Sequence, residues 1–317
     1  MHFQGLNLNL LVSLDALLSE KSVTRAAMRL HVTQPAMSAS LQQLRQYLSD
    51  PLLEKVGRQF ELTPRGKELS VSVKELLLRI NTVLHSGETF DPGTASRTFK
   101  VAMSAHMADL LGVPIIRQLI QVAPNINFQI IDLAIDSFRR VEEGELDFCI
   151  TVGERVENNP PNRPEILSSR HLFSDEFVLV AALDNDAVTP DISYEQFCEF
   201  PYIEVRFSGN FMSLPDIELE RQPRRPRVQA WMPTSQNVLA AVSATQAVAI
   251  VPSRLFRLHR EYLKLKSVAP PLKLAPIHQM CFWHARNAID VGHEWFADLL
   301  EETARSAWPD EADAETA

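Results

Sequence analysis

The sequence predicts an α/β chain with an all-helical N-terminal part. Three observations predict it. Helical stripes fill the first sixty residues, a polar stretch follows a long fourth helix, and strands then alternate with helices. At 317 residues, with 45% apolar and 22% charged residues, the composition is that of an ordinary globular chain of about two domains.

Leu10, Leu11, Leu14, Leu17 and Leu18 recur at i, i+1, i+4, i+7 and i+8, the apolar stripe of a first amphipathic helix. A second helix over 24–31 has Ser22 as its N-cap and Ala26, Ala27 and Leu30 as a small apolar face. Thr33 caps a third, with Pro35 in the first turn, where its missing N–H costs nothing. Its apolar face is Ala36, Met37, Leu41, Leu44 and Leu48. Residues 52–62 read as a hairpin turning at Gly57-Arg58. A fourth helix over 63–85 carries Leu69, Val73, Leu76, Leu77, Ile80 and Leu84, a stripe too apolar for a free surface. We expect it to pack antiparallel on its twin in a dimer. Residues 86–96, polar with Gly and Pro, form a linker. Strands over 99–103, 128–133, 146–152 and 177–182 then alternate with helices over 108–122 and 138–143, which predicts mostly parallel sheets. The acidic tail, 309–317, is expected to be disordered.

The charge is uneven. The net charge is −9, but residues 1–67 carry +3 and the remainder −12, so only the first segment attracts a polyanion. Three cysteines far apart exclude a disulfide framework and a C-x-x-C metal knuckle. No apolar run approaches a bilayer span, and the start lacks a basic region followed by an apolar one. The expected location is the cytoplasm, with no membrane partner. Phosphate-loop, dinucleotide and nucleophile-elbow motifs are missing, as is any metal-ligand spacing. No catalysis, cofactor or metal is expected.

Three short helices and a hairpin describe a winged helix-turn-helix, whose third helix must present polar side chains to base edges. Thr33, Gln34, Ser38 and Gln42 supply them, and Arg25, Arg29, Arg45 and Arg58 lie around them as phosphate partners. The alternative is a three-helix scaffold or protein-binding module.

A resemblance adds to this reading. Residues 8–18, Ala26-Ala27, Thr33-Gln34-Pro35-Ala36, Ser38, residues 41–45, Pro51-Leu52 and Leu62-Thr63-Pro64-x-Gly66 resemble the N-terminal domain of LysR-type transcriptional regulators in order and spacing. Residues 5–11, Phe90-Asp91-Pro92, Arg97-x-Phe99 and Phe282-Trp283-His284-Ala285 are similar to one subgroup, which holds the salicylate-responsive regulators of naphthalene degradation and the flavonoid-responsive nodulation regulators. The resemblance implies a winged helix-turn-helix over 1–65, a linker helix and hinge over 66–96, and a two-lobed, periplasmic-binding-protein-like effector domain over 97–308. Lobe 1 would comprise about 97–171 and 276–308, and lobe 2 about 172–275. It implies double-stranded DNA with an interrupted palindromic operator, a small aromatic effector, RNA polymerase and a dimer of dimers as partners. DNA contacts carry over to Thr24, Arg25, Thr33, Gln34, Pro35, Ser38 and Arg58, and Gln42 joins them on the same helix. Ala39 departs from the pattern, standing where many members carry a basic residue. A solute-binding protein without DNA-binding function is the alternative.

The resemblance also places an effector between the lobes. Ser104, His106 and Met107 follow the first strand, Asp175 lies at the crossover, and Arg206, Phe207, Ser208, Met232, Thr234 and Arg254 face them from lobe 2. An ionised aromatic acid or phenolate would take a hydrogen bond from Ser104 and a counter-charge from Arg206 or Arg254. Alternatives stay open: Ser104 as a plain N-cap, His106 as a helix-surface histidine, and both arginines paired with carboxylates.

Overall fold

The computed structural model describes residues 9–56, 59–84, 90–153, 166–207 and 211–309. Its head is built from α1 (Asn9–Glu20), α2 (Val23–Arg29), α3 (Gln34–Leu48) and an antiparallel hairpin of β1 (Leu53–Val56) and β2 (Gln59–Leu62). Leu14, Leu17 and Leu18 of α1 close on Ala26 and Ala27 of α2 and on Met37, Leu41 and Leu44 of α3, forming one buried cluster. Alanines on α2 let its neighbours approach closely, which suits a helix of seven residues.

The long helix α4 (Pro64–Leu84) joins this same core, with Val73 buried and Leu69 and Leu77 packed against it. The expected seam is therefore divided. Leu69, Val73 and Leu77 are used within the chain, while Leu76 remains 44% exposed. Two local devices set the start of α4. Thr63 accepts from the Gly66 amide at 2.9 Å and donates to Asp50, which also takes the Leu52 amide. A Cβ on Gly66 would come 2.7 Å from the Leu52 carbonyl oxygen, so only glycine fits where the helix crosses the hairpin base.

Beyond the linker, a five-stranded sheet has the order β4-β3-β5-β13-β6. Its strands are β3 (Arg97–Met103), β4 (Ile126–Asp132), β5 (Phe148–Val152), β6 (Leu167–Asp175) and β13 (Ile277–His284). Only β3, β4 and β5 run parallel, and β13 is antiparallel to both β5 and β6. The expectation of mostly parallel sheets thus fails for a topological reason: β6 carries the chain out to a second lobe and β13 brings it back. The crossover falls at Glu176, because β6 stays paired as far as Asp175.

The second lobe holds β7 (Phe177–Ala182) between β11 (Ala249–Pro252) and β12 (Leu265–Val268), all antiparallel. Beside them β8 (Tyr202–Phe207) pairs with β10 (Val228–Met232) in parallel and with β9 (Phe211–Met212) antiparallel. Each lobe has its own apolar core. Among the described residues no helix is long and apolar enough to cross a membrane.

Candidate DNA-contacting face and interlobe cavity

On α3 the buried residues Met37, Leu41 and Leu44 leave the opposite face to solvent, and Gln34, Ser38 and Gln42 share it at i, i+4 and i+8. Thr33 caps the helix by accepting from the Ala36 amide, and Pro35 occupies the first turn. Thr24 and Arg25 stand exposed at the start of α2, which Ser22 caps. Arg58 lies outside the described residues.

The expected ring of phosphate-holding arginines changes. Arg45 donates to the carbonyls of Pro51 at 2.8 Å and Leu53 at 3.3 Å, tying α3 to the hairpin. Arg29 pairs with Asp15 at 2.9 Å. Arg25 reaches the Glu20 carboxylate at 3.4 Å and also donates to the Glu20 carbonyl, but its side chain is 63% exposed, and contacts so open to water contribute little. Of these three, Arg25 is the one whose guanidinium can turn to a phosphate at small cost.

Between the lobes lies a cavity of about 920 Å³. Of the expected effector residues, Ser104, His106, Arg206, Phe207 and Thr234 line it. Ser104 precedes the turn Ala105–Met107 but makes no side-chain cap bond; its hydroxyl instead meets His106 Nδ1 at 2.9 Å. Burial pushes His106 down to about 4, against the opposing pull of Asp109, so the imidazole is neutral at neutral pH. Its Nε2 faces the Gln279 carboxamide nitrogen at 3.5 Å. Arg206 is bonded to Glu204, a buried carboxylate that also takes the Trp231 indole N–H at 3.1 Å. Thr234 caps the helix Ser235–Ser243 and donates to Asn237.

Four expected residues fall elsewhere. Met107 is fully buried in the first lobe's core. Met232 packs against the second lobe's core. Asp175 turns away from the cavity, accepting from the Ser253 hydroxyl at 2.6 Å and from the Arg254 amide at 3.3 Å, and so receives the helix Ser253–Leu263. Arg254 is withdrawn with it. Its guanidinium donates to the Ser174 carbonyl, lies 4.8 Å from the Phe173 ring centroid and 5.9 Å from that of Trp308. The pair forms the crossover joint because a buried arginine satisfies its fork on carbonyls and ring faces where strands end. Ser208 lies outside the described residues.

The lobes also touch beside the cavity. Asp109, in the π-helical turn Ala108–Gly112, accepts from Gln236 at 2.7 Å and lies 3.2 Å from His259, both in the second lobe. On the other side of the first lobe, Lys74 of α4 donates to the carbonyls of Glu143 at 3.0 Å and Gly144 at 3.2 Å. Gly144 has φ +69°, the left-handed region, and a Cβ there would meet the Arg286 guanidinium at 2.6 Å. Head and lobe therefore share a polar joint.

Sequence reasoning missed Gln279, Glu204, Phe177, Ser213 and Leu214. All but Glu204 line the cavity. A signal for Gln279 was present: on β13 the inward positions are Ile277, Gln279, Cys281 and Trp283, so a carboxamide interrupts an apolar face. Glu204 gave a similar one, as a carboxylate inside an otherwise buried strand.

A three-helix winged head joined by a long helix to two α/β lobes around a cavity defines a DNA-binding regulator controlled by a ligand. Residues 8–67 match the family described as bacterial regulatory helix-turn-helix protein, lysR family, and residues 92–305 match the LysR substrate binding domain. Nodulation protein D 1 of Rhizobium tropici is 32% identical over 314 residues, covering 98% of this chain and 99% of that protein. Nodulation protein D 2 of Rhizobium leguminosarum bv. phaseoli is 32% identical over 308 residues, covering 96% and 94%. Full-length OxyR of Pseudomonas aeruginosa superposes with a TM-score of 0.73 at 19% identity over 95% of each chain. ArgP of Mycobacterium tuberculosis does so with 0.65 at 17% identity, covering 94% of this chain and 97% of that one. Identities this low establish the architecture alone. The chain belongs to the LysR family of transcriptional regulators; it is not an enzyme, and the solute-binding alternative falls with the match over 8–67.

Proposed function

We propose that this regulator is an activator controlled by a small aromatic inducer and governs aromatic catabolism or related genes from the cytoplasm. The observation that carries the reading is the interlobe cavity, large enough for a drug-sized ligand and walled by Phe138, Phe177, Phe207 and aliphatic side chains around a few polar groups. The names of its relatives, nodulation proteins, are compatible with it.

In this reading Gln34, Ser38 and Gln42 read base edges, Thr33, Pro35 and Thr24 fix the approach of α3, and Arg25 and Arg58 hold phosphates. Two heads are joined through the Leu76 and Ile80 face of α4, and two dimers combine on an interrupted palindrome. A ligand that binds the closed lobes more tightly shifts their population, alters the spacing of the heads and so changes DNA bending and the contact with RNA polymerase.

The test joins DNA binding to response in the full-length protein. Gln34→Ala should lose about 1–3 kcal/mol on the specific operator and relax sequence preference, with ligand binding unchanged. Ser104→Ala should keep operator binding and lose induction of a reporter by hydroxylated aromatics. Equal effects of both substitutions on operator affinity would refute the division between head and cavity. Leu76→Glu with Ile80→Glu should dissociate the dimer in sedimentation by placing charge in an apolar seam.

A further inference from the structure

We propose that Ser104, His106 and Gln279 form a hydrogen-bond relay that selects an uncharged, hydroxyl-bearing ligand over a carboxylate, with Gln279 as the specificity-determining residue. The inference rests on the reading of the cavity as the inducer site and specifies what that site accepts.

The relay is continuous: Ser104 Oγ meets His106 Nδ1 at 2.9 Å, and His106 Nε2 meets the Gln279 carboxamide at 3.5 Å. Gln279 is 1% exposed, lines the cavity, and its Oε1 is buried with no hydrogen-bond partner among the described residues. A buried acceptor left without a donor is costly, and a ligand hydroxyl can supply one.

A neutral imidazole has one donor and one acceptor nitrogen, so the two ends of the relay are coupled. With the proton on Nδ1, the ring donates to Ser104 Oγ and accepts from the Gln279 NH₂ group. Ser104 then offers its O–H to the cavity, and Gln279 offers Oε1. With the proton on Nε2 and the carboxamide turned over, Ser104 donates to the ring and presents a lone pair, while Gln279 presents N–H. Either way the wall offers one donor and one acceptor at two separated points. A hydroxyl can satisfy either point, since it both donates and accepts. A carboxylate only accepts, and always leaves one point opposed by lone pairs.

The charges around the cavity agree. Of the three cationic side chains that line it among the described residues, Arg206 is bonded to the buried Glu204, Arg221 pairs with Glu218 at 3.0 Å, and Lys273 is exposed. Arg206 keeps a buried Nε without a partner, but its charge is already met by Glu204, so among the described residues no desolvated cation of the cavity is left without a counter-charge, and an anion taken from water without one is strongly disfavoured. The apolar remainder, including Leu133, Phe138, Phe177 and Ile250, suits a planar frame of two or more rings.

The experiment compares two probes on the full-length protein by calorimetry: 2,6-dihydroxynaphthalene and naphthalene-2,6-dicarboxylate. The diol should bind at least tenfold more tightly. Gln279→Leu, close in volume, should narrow that ratio severalfold while keeping the melting temperature within a few degrees. Ala134→Trp, a substitution at an exposed cavity position, should block both probes. A dicarboxylate that binds as well as the diol, failure of both probes to bind, or a ratio preserved in Gln279→Leu would each overturn the relay. If both probes bind the wild type and Ala134→Trp alike, the cavity itself is not the site, and the broader reading fails as well.

Discussion

The head and the cavity place their functional side chains by different means. In the head, every candidate contact on α3 lies within ten residues of the next, and a single helix with a cap and a buried face orients them all. In the cavity, Ser104 and Gln279 stand 175 positions apart in the chain and meet through one imidazole. Local spacing is therefore enough to read the first region, while the second exists only once two crossovers have closed. The same contrast governs Ser22, Thr33 and Ser104, three hydroxyl residues at helix starts. Ser22 and Thr33 accept amide bonds, but Ser104 turns to His106.

The largest expected effect breaks the head alone. Gly66→Val places a side chain against the Leu52 carbonyl, where backbone leaves no room, and should destabilise the head by about 1–3 kcal/mol. Urea unfolding followed by operator binding should show an early loss of the head, with ligand binding by the lobes retained. Simultaneous loss of both would mean that the joint through Lys74 makes head and lobes one cooperative unit.

A second effect, spread over several pH units, belongs to the second lobe. Burial raises Asp216 to about 7 even though Ser213 and Tyr202 donate to it and lower it, with Glu204 adding repulsion. The folded form therefore holds this proton more tightly than the unfolded chain, whose ordinary value is 3.8. The associated stability is fully present below about pH 4 and is lost as pH rises through about 7. Melting temperatures measured from pH 4 to 8 should show this decline in the wild type, and Asp216→Asn should flatten it. The titration of the head's operator affinity should not follow the same curve.

The smallest effect sharpens the comparison of helix starts. Thr33→Ala should cost about 1 kcal/mol because a real cap bond is lost. Ser104→Ala should cost less, since the hydroxyl bonds a ring nitrogen and leaves the helix amides unchanged. Equal losses in denaturant titrations would show that Ser104 caps its helix after all.

What can be read from the sequence follows the range of the interactions involved. Helix starts at Ser22 and Thr33, the buried faces of α1 and α3, and the hairpin are visible there, because caps and apolar periodicity act within a few residues. Arg45 reads as a phosphate partner, yet its acceptors are carbonyls of the next loop, which no spacing reveals. The α4 stripe is visible as apolar but not as divided between the head's core and a free face. Arg254 and Arg206 look alike as cations near a cavity; tertiary structure sends one to the crossover joint, while the other pairs with Glu204 two residues back on the same strand, and only the burial of that carboxylate is tertiary.

The sequence by itself determined the head, its exposed polar face and the first strands and helices beyond the linker, because hydrogen bonds and apolar contacts between near neighbours decide them. Only the tertiary structure decided the mixed sheet, the burial of Glu204 and the relay from Ser104 to Gln279. These depend on which distant strands lie side by side, and the free energy of a buried polar group depends on the partner that such pairing brings to it.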